Sequence, residues 1–320
     1  MALPDFLIVG APKAGSTALH VALAKHPQLH LSSVKEPKFF LCDEAPPARQ
    51  HGPGDAHSAR EWIWRRDEYE ALFAGAPAGT LKGESTPLYL ADLEAHRRMA
   101  RLVPEARLVV VVRDPVDRAY SNWTHLWSDG LEPVADFVEA CALEDERMQR
   151  GWAPFWRYLG LGRYGEQLQH LRSHFDPDAI HVLRYRDLVE RPDDTLDGIC
   201  TFLGVEPGLV SVVPSENVST FVDDTPFNTV VRAGIRSCAT LGAHLPPQVW
   251  RTASKPLLKA LKRQHANRPE LSPEQRSELA AHFTDDVALL ERLTGESFDN
   301  WLGWRETGTF SVRKASAASA

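Results

Sequence analysis

The chain has 320 residues, of which 43% are hydrophobic and nine are tryptophan, so it is long enough to bury a large core. Its formal net charge of −7 at pH 7 disfavours a general nucleic-acid or anionic-membrane binder, so any anionic ligand must be held by a local site. The composition shows no break, and we expect one α/β domain over residues 1–313 with a disordered Ala/Ser-rich tail over 314–320.

The N-terminal residues and the spacing of the cysteines indicate in which cellular compartment the protein is expected. The first predicted strand follows Met1 too closely for a signal peptide, and no apolar run is long enough to span a membrane. The four cysteines lack the C-x-x-C spacing of zinc sites or redox pairs, and we expect buried free thiols at Cys42, Cys141, Cys200 and Cys238. A soluble, cytoplasmic protein without a metal is therefore expected.

The first strand and the loop after it predict an anion site. Phe6–Gly10 is typical of a buried strand, and Ala11–Thr17 of a loop that enters a helix. Backbone N–H groups and the positive helix end converge there on one point, to which Lys13 adds a full charge. The spacing departs from the nucleotide-hydrolysing P-loop because Ser16 occupies the place of its lysine. Ser16 and Thr17 can instead donate hydroxyl groups to the anion.

Further short aliphatic runs predict a parallel sheet. The expected strands are Gln28–Leu31, Thr80–Glu84, Leu108–Val112 and Ile180–Leu183. The expected helices that follow three of them are a stretch around 90–102, Val116–Trp127 and Pro192–Leu203. Alternating strands and helices of this kind form βαβ units with helices on both faces of the sheet.

A second anion site is predicted where the strand Leu108–Val112 ends. Arg113 follows the strand directly, and Ser121 lies two turns into the next helix, after the N-cap Asp114. A guanidinium grips a phosphate with two hydrogen bonds, and a serine hydroxyl can complete the shell. Both anion sites lie at the carboxyl edge of the sheet, where ligands of open α/β sheets bind. The pattern therefore predicts a ligand with two separated anionic groups.

Two other segments have a simpler interpretation. The stretch Asp43–Ser58 is rich in Pro, Gly, Ala and His, and it is either a lid near the site or an insertion without a role. Near the C-terminus, Ser272–Gln275 forms a capping box for a packing helix that extends to Gly295. Its apolar face is predicted to carry Leu279, Phe283, Val287 and Leu290.

The motifs P-K-x-G-[ST]-T and R-[DN]-P-x(2)-R-x(2)-S resemble those of sulfotransferases that use 3′-phosphoadenosine 5′-phosphosulfate (PAPS), of the bacterial and heparan-sulfate type. The resemblance implies a P-loop-like parallel sheet flanked by helices and PAPS as co-substrate. It assigns the 3′-phosphate to Arg113 and Ser121, and it places Tyr185 near the adenosine. It assigns the 5′-phosphosulfate to Lys13, Ala14, Gly15, Ser16 and Thr17.

The general base is predicted from the same resemblance. Sulfuryl transfer requires a carboxylate that takes the proton of the acceptor hydroxyl, and Glu36 aligns with the glutamate of the family's K-E-x-H-F-F segment. Lys38 replaces the histidine of that segment. Alternatively, Glu36 is a surface carboxylate paired with Lys35 or Lys38. A histidine is the competing base, with candidates near the first loop at His20, His26 and His30.

Lys13 has a predicted catalytic role as well. Its ammonium stabilises the negative charge that grows on the bridging oxygen of the departing nucleotide. Because a sulfuryl group carries less charge than a phosphoryl group, we expect that no Mg²⁺ is needed. Ser85 stands where heparan-sulfate enzymes carry lysine, so a polysaccharide acceptor is not implied. Glu84 either orients an acceptor hydroxyl or ends a strand, and the acceptor itself stays open among carbohydrates, lipids, phenols and secondary metabolites.

The remaining candidate residues lie outside the motifs. The C-terminal region lacks the R-K-G or K-G-R element of many relatives, and its basic candidates are Lys255, Lys259, Lys262 and Arg263. Asn217 and Ser219 are further candidates for lining the nucleotide. The aromatic residues Trp152, Phe155 and Trp156 favour buried packing over an acceptor pocket.

Two alternative functions remain open. An ATP-dependent kinase of the P-loop class would need a lysine at Ser16 and an acidic Mg²⁺ ligand. A catalytically silent nucleotide-binding protein would keep the anion cradle without turnover. The predicted partners are PAPS and a hydroxyl-bearing acceptor, with no nucleic acid and no membrane span, and the oligomeric state is left open.

Overall fold

The computed structural model describes residues 2–210, 221–241, 255–259, 261 and 268–302. The predicted tail and several candidate residues lie outside this range, namely 314–320, Asn217, Ser219, Lys262 and Arg263. The described strands are β1 (Phe6–Gly10), β2 (Leu29–Leu31), β3 (Leu81–Ser85), β4 (Arg107–Val112) and β5 (Ile180–Arg184).

Helices connect the strands and follow the sheet. Before β5 they are α1 (Ser16–Leu23), α2 (Asp55–Ala59), α3 (Arg66–Ala71), α4 (Leu93–Leu102), α5 (Pro115–Ser128), α6 (Phe137–Ala142), α7 (Glu144–Gln149) and α8 (Tyr164–Arg172). After β5 they are α9 (Tyr185–Glu190), α10 (Pro192–Leu203), α11 (Pro226–Leu241), α12 (Pro273–Ala281), α13 (Thr284–Thr294) and α14 (Asp299–Leu302).

The five strands form one parallel sheet in the order β2-β3-β1-β4-β5. In its centre, Ile8 of β1 lies opposite Ser85 of β3 on one side and Val109 of β4 on the other. All five residues of β1 are buried, as are the last five of β4, because helices cover both faces of a parallel sheet. The predicted α/β fold with a central parallel sheet is confirmed.

The order of the strands places a crevice between β1 and β4. These strands are neighbours, but the chain leaves β1 towards β2 at one edge of the sheet and leaves β4 towards β5 at the other. Because parallel crossovers are right-handed, the two connections lie on opposite faces, and the loops separate at the carboxyl ends of the strands. Ligands of open α/β sheets bind at such a switch point. The two loops with predicted anion sites flank it.

Several predicted boundaries agree with the structure. Helix α5 begins at Pro115, and its N-cap Asp114 accepts hydrogen bonds from the backbone N–H groups of Val116 and Asp117. Helix α10 spans Pro192–Leu203 as predicted, and Gly204 ends it in the left-handed conformation. Helix α4 begins later than predicted, at Leu93, because residues Pro87–Ala91 form a 3₁₀ turn.

The predicted C-terminal packing helix is wrong as a single element. The capping box of Ser272 and Gln275 is present, but α12 ends at Ala281 and α13 begins at Thr284. The break lets Asp286 accept hydrogen bonds of 2.9 Å from the backbone N–H groups of Gly165 and Glu166, at the start of α8. The predicted apolar residues are still buried, because both helices turn them towards the main core.

A smaller apolar cluster lies beside the end of α5. Val222, Val231, Ile235 and Leu261 form it, and it is separate from the main core. Trp127 connects the two, because its indole N–H donates to the carbonyl of Val222 at 2.8 Å.

Candidate active site

The loop after β1 combines a cation with an open helix end. Gly15 has a φ of 91°, a left-handed conformation that favours glycine, and it is the N-cap of α1. A Cβ at Gly15 would lie 2.8 Å from the ring of Tyr185, so the aromatic ring packs directly on the loop. Ala14 and Ser16 are buried, and Thr17 is partly exposed. The loop therefore has the geometry of an anion cradle with an aromatic wall.

Arg113 joins this cradle from the end of β4. Its Nη1 donates to the carbonyl oxygen of Lys13 at 3.2 Å, and its guanidinium carbon lies 4.8 Å from the centre of the Tyr185 ring. The structure thus brings Lys13, Arg113 and Tyr185 together at the switch point, as their predicted roles require. Ser121 lies on a partly exposed face of α5, two turns after Asp114.

A further cation at this edge escaped prediction. The guanidinium carbon of Arg268 lies 4.3 Å from the centre of the Tyr120 ring, and the Tyr120 hydroxyl donates to the carbonyl of Pro269 at 2.8 Å. Partial desolvation lowers the pKa of Arg268, an exposed residue; Tyr120 raises it, and the charge of nearby Arg113 lowers it again. The guanidinium groups of Arg113 and Arg268 repel each other, and an anion bound near both would offset this repulsion. Arg268 belongs to no motif, so only the fold reveals its place.

The model described as the sulfotransferase family matches residues 4–207, well over half of the chain. The chain belongs to the sulfotransferase family. A crystal structure of a sulfotransferase from Alicyclobacillus acidocaldarius is similar to this chain, with a TM-score of 0.73 and 28% identity. That comparison covers 94% of this chain and 99% of the other.

Among curated relatives, this sulfotransferase resembles enzymes named for heparan sulfate. It is 29% identical over 217 residues to the mouse bifunctional heparan sulfate N-deacetylase/N-sulfotransferase 4, which covers 64% of this chain and 23% of the relative. It is 29% identical over 204 residues to the human heparan sulfate glucosamine 3-O-sulfotransferase 3B1, which covers 64% of this chain and 47% of the relative. The match thus spans less than half the length of both relatives.

The Lys13 ammonium of this sulfotransferase lies in a buried, charged environment. Burial lowers the pKa of Lys13 to about 8. Four charges modify this effect, in order of strength: Asp129 raises the pKa, Arg113 lowers it, Glu36 raises it and Arg118 lowers it. Lys13 therefore keeps its charge near neutral pH and loses it under mildly alkaline conditions.

Glu36 lies in a polar cluster beside the cradle. Its Oε1 is 2.5 Å from Nζ of Lys35, and its backbone N–H donates to the carbonyl of Ser85 at 3.0 Å. The Ser85 hydroxyl in turn lies 2.8 Å from Nδ1 of His20. The ion pair with Lys35 matches the surface-pair alternative for Glu36. The Glu36 side chain is nevertheless 35% exposed, so one carboxylate face can still receive a substrate proton.

Of the three competing histidines, His20 is the one in this cluster. Burial lowers the pKa of His20 to about 4, the charge of Lys35 lowers it further and Glu36 opposes both, so the imidazole is neutral at pH 7. The other two lie away from the cluster: Nε2 of His26 contacts the carbonyl of Glu206 at 2.8 Å, and His30 is part of β2.

The segment after Glu36 borders a cavity. The ammonium of Lys38 lies 5.4 Å from the centre of the Trp62 ring, and the backbone N–H of Ile63 donates to the carbonyl of Pro37 at 2.9 Å. Trp62 also lines a cavity of about 490 Å³ between residues 46–50 and 56–64. Lys38 approaches this cavity through its contact with Trp62.

The predicted lid segment is anchored to the body of the protein. The buried Asp55 carboxylate accepts hydrogen bonds from the indole N–H of Trp156 at 2.9 Å and from the backbone N–H groups of Gly52 and Ala153, each at 2.8 Å. These three hydrogen bonds hold residues 52–55 against the turn at Pro154–Trp156. Trp156 is 1% exposed, so the packing interpretation of the aromatic residues is correct for this side chain.

Glu84 is fully buried. It accepts hydrogen bonds from the Tyr69 hydroxyl at 3.2 Å and from the Thr86 hydroxyl at 2.9 Å. Burial raises the pKa of Glu84 to about 7. These contacts favour the structural interpretation of Glu84 over a role in orienting the acceptor.

The cysteines follow the prediction with one exception. Cys42, Cys141 and Cys200 are buried free thiols, whereas Cys238 on α11 is exposed because it lies on the outer face of that helix. The basic residues Lys255 and Lys259 are both exposed, as expected for a solvated face. Among the described residues, no helix combines the length and apolar character that crossing a membrane requires.

Proposed function

We propose that this chain transfers a sulfuryl group from PAPS to the hydroxyl group of an acceptor. The observation that carries the proposal is the contact between the two predicted anion sites, in which Arg113 donates to the Lys13 carbonyl at 3.2 Å beneath the ring of Tyr185. A nucleotide that carries phosphate groups at both its 3′ and 5′ positions needs a cation for each phosphate, on the two sides of the aromatic ring that lines the site. In the part of the chain that the structure describes, no carboxylate forms an ion pair with Arg113, so its guanidinium is available to an anion.

The chain's residues divide into two binding groups. Lys13 and the loop residues Ala14, Gly15, Ser16 and Thr17 would hold the 5′-phosphosulfate at the N-terminus of α1. Arg113 and Ser121 would hold the 3′-phosphate, with Arg268 as a third ligand, and Tyr185 would pack near the adenosine.

The transfer step needs one base and one cation. The acceptor oxygen attacks sulfur as its proton passes to the carboxylate of Glu36, and the bond from sulfur to the bridging oxygen breaks. The electron pair of that bond stays on the departing 3′-phosphoadenosine 5′-phosphate (PAP), where the Lys13 ammonium stabilises it. The heparan sulfate in the relatives' names makes a polysaccharide one acceptor class to test.

The decisive experiment separates binding from turnover in matched variants. Glu36→Gln should keep its affinity for PAP in calorimetric titration but lose about 10²–10⁴-fold in transfer rate, because only the proton acceptor is removed. Lys13→Ala should weaken PAP binding as well, since it removes a charge-assisted contact. His20→Gln is the control for the competing base, and it should keep most of the rate.

Transfer from radiolabelled PAPS across carbohydrate, lipid and phenol acceptors measures the rate. A chain that binds PAP but transfers nothing to any acceptor would be a silent nucleotide-binding protein. A rate lost in His20→Gln but retained in Glu36→Gln would make His20 the base.

A further inference from the structure

Glu84 is a fully buried acid that forms no ion pair within the described part of the chain. Its carboxylate instead accepts hydrogen bonds from three hydroxyl groups, those of Thr86 at 2.9 Å, Tyr69 at 3.2 Å and Tyr89. A carboxylate that is removed from water is destabilising unless hydrogen bonds satisfy it. A hydrocarbon side chain would fill the same space at lower cost, so the further contacts of the three donors indicate what the carboxylate does.

Two of the three hydroxyl groups also hold the backbone of the segment after Glu36. The Thr86 hydroxyl oxygen accepts from the backbone N–H of Lys38 at 3.4 Å. The Tyr89 hydroxyl oxygen accepts from the backbone N–H of Phe40 at 3.3 Å. Because a carboxylate can only accept, each hydroxyl must turn its proton towards Glu84, which leaves its lone pairs to the backbone N–H.

The third donor and the neighbouring strand residue contact the same segment. The ring of Tyr69 is stacked on that of Phe39, with 4.2 Å between the ring centres and an angle of 7° between the planes. The carbonyl of Ser85 accepts from the backbone N–H of Glu36 at 3.0 Å. Residues 36, 38, 39 and 40 are thus each held by the end of β3 or by a residue that donates to Glu84.

The segment needs such support because its backbone is strained. Glu36 and Lys38 both adopt the left-handed conformation, which side chains with a Cβ rarely adopt. Conformations of this kind persist only where surrounding contacts fix them. If the contacts loosened, the backbone could relax to an ordinary conformation, and the Glu36 side chain would leave from it in another direction.

We propose that Glu84 is a positioning residue of the transfer reaction, whose three hydroxyl partners fix the backbone of residues 36–40 and so the direction of the Glu36 carboxylate. This inference rests on the proposed function, because it gives Glu84 its role through the base. Since Glu84 is fully buried, it acts through this segment and not by contact with the acceptor.

The first test measures the segment directly, by hydrogen exchange and mass spectrometry of the full chain without nucleotide. Peptides that cover residues 36–41 should exchange about 3-fold to 10-fold faster in Glu84→Gln, because an amide can donate to the hydroxyl groups and no longer fixes their direction. Thr86→Val keeps the shape of the side chain but removes the hydroxyl, and it should have the same effect. Thr86→Ser keeps the hydroxyl and should exchange like wild type.

Glu144→Gln is the matched control. Glu144 on α7 is a second buried carboxylate, and it accepts from the backbone N–H groups of Leu159 at 2.6 Å and Gly160 at 3.0 Å. The substitution therefore removes the same charge from a different network, and it should leave the exchange of residues 36–41 unchanged. Exchange at the wild-type rate in both Glu84→Gln and Thr86→Val would overturn the inference, whichever reaction the protein catalyses.

The second test separates rate from binding. Glu84→Gln and Thr86→Val should each lower kcat by about 10-fold to 100-fold, because a small misplacement of the base is enough for such a loss. The Kd of PAP should stay within about twofold of wild type, since the proposed nucleotide ligands are unchanged. Thr86→Ser should recover most of the rate, which a loss of packing alone would not explain. Should Glu84→Gln fail to fold, the two Thr86 variants carry both tests.

The outcomes distinguish this inference from the proposed function. Absence of transfer by wild type to any acceptor would reject the proposed function, and the exchange result would still decide whether Glu84 fixes the segment. Transfer by wild type with an unchanged kcat in Glu84→Gln and Thr86→Val would reject the positioning role. A parallel loss of PAP affinity and kcat would also reject it, because that pattern indicates general damage to the fold.

Discussion

Three charged residues near the cleft adopt left-handed backbone conformations. Lys13, Glu36 and Lys38 have φ values of 65°, 60° and 61°, in a region that side chains with a Cβ rarely adopt. Each such residue costs on the order of 1–3 kcal/mol, which the surrounding structure must offset. Strain of this kind collects at sites where a side chain has to point in one direction. It therefore supports the roles proposed for Lys13 and Glu36.

The Lys13 ammonium makes activity depend on pH in one direction. Burial lowers the pKa of Lys13 to about 8, so the group is charged below that pH and neutral above it. Since the proposed leaving-group contact needs the charge, kcat/KM for PAPS should fall about tenfold for each pH unit well above pH 8. Lys13→Arg should show a lower plateau without this alkaline limb, because a guanidinium keeps its proton. A limb that persists in Lys13→Arg would assign it to another group.

Arg268 should contribute to nucleotide affinity although it belongs to no motif. Arg268→Ala removes a cation that lies over Tyr120 near Arg113, and a charge-assisted hydrogen bond is worth about 1.5–3 kcal/mol. We therefore expect PAP affinity to drop roughly 10-fold to 100-fold in calorimetric titration. Arg292→Ala is the matched control, because Arg292 is exposed in the last turn of α13. Equal affinity losses in both variants would mean that general charge, and not the Arg268 site, controls binding.

The strands and helices that could be predicted are those with a local signal in the sequence. The aliphatic runs of β4 and β5 and the caps of α5 and α10 are local signals, and the structure reproduces them within one residue. The break between α12 and α13 is a tertiary effect, since it depends on Asp286 reaching the start of α8. The place of Arg268 depends on how distant elements pack, so no spacing along the chain reveals it. The placement of Lys13, Arg113 and Tyr185 at the carboxyl edge of the sheet was predictable, because each comes within three residues of the end of a strand.

The crossing of α8 and α13 is so close that only glycine fits at one position. A Cβ at Gly165 would lie 2.3 Å from the backbone oxygen of Asp286 and 3.0 Å from the backbone nitrogen of Leu290. Gly165→Ala should therefore force the helices apart and lower the free energy of unfolding by about 1–3 kcal/mol or more in urea titration.

Gly198 in α10 is the matched control for this substitution. A Cβ at Gly198 would meet nothing within 4 Å, so Gly198→Ala should raise the free energy of unfolding by about 0.5–1 kcal/mol through helix propensity. The two substitutions thus have opposite expected signs. A neutral Gly165→Ala would show that the crossing can widen without loss.

The protein as a whole is acidic, although its proposed ligand is an anion. The net charge of −7 repels nucleotides at long range, so affinity must come from Lys13, Arg113 and Arg268 at short range. Screening by salt weakens the repulsion as well as the attraction, so PAP binding should depend less on salt than in a basic nucleotide-binding protein. Because the protein as a whole is acidic and the site is cationic, the site also favours a ligand that carries several negative charges at a fixed spacing.

The stability that a bound ligand adds to the protein can identify the nucleotide. PAP at 100 times its Kd should raise the free energy of unfolding by about 2.7 kcal/mol, measured by thermal and urea unfolding. Adenosine 5′-monophosphate, which differs from PAP only by the 3′-phosphate, should stabilise wild type much less at the same concentration. In Arg113→Ala the stabilisation by the two ligands should become nearly equal, because the residue proposed to recognise the 3′-phosphate is gone.

Neither the stabilisation by PAP nor the transfer rate should change in a chelator, since the scheme uses Lys13 where kinases use Mg²⁺. Stronger stabilisation by ATP with Mg²⁺ than by PAP would instead favour the kinase alternative, because a Walker-type site needs no 3′-phosphate.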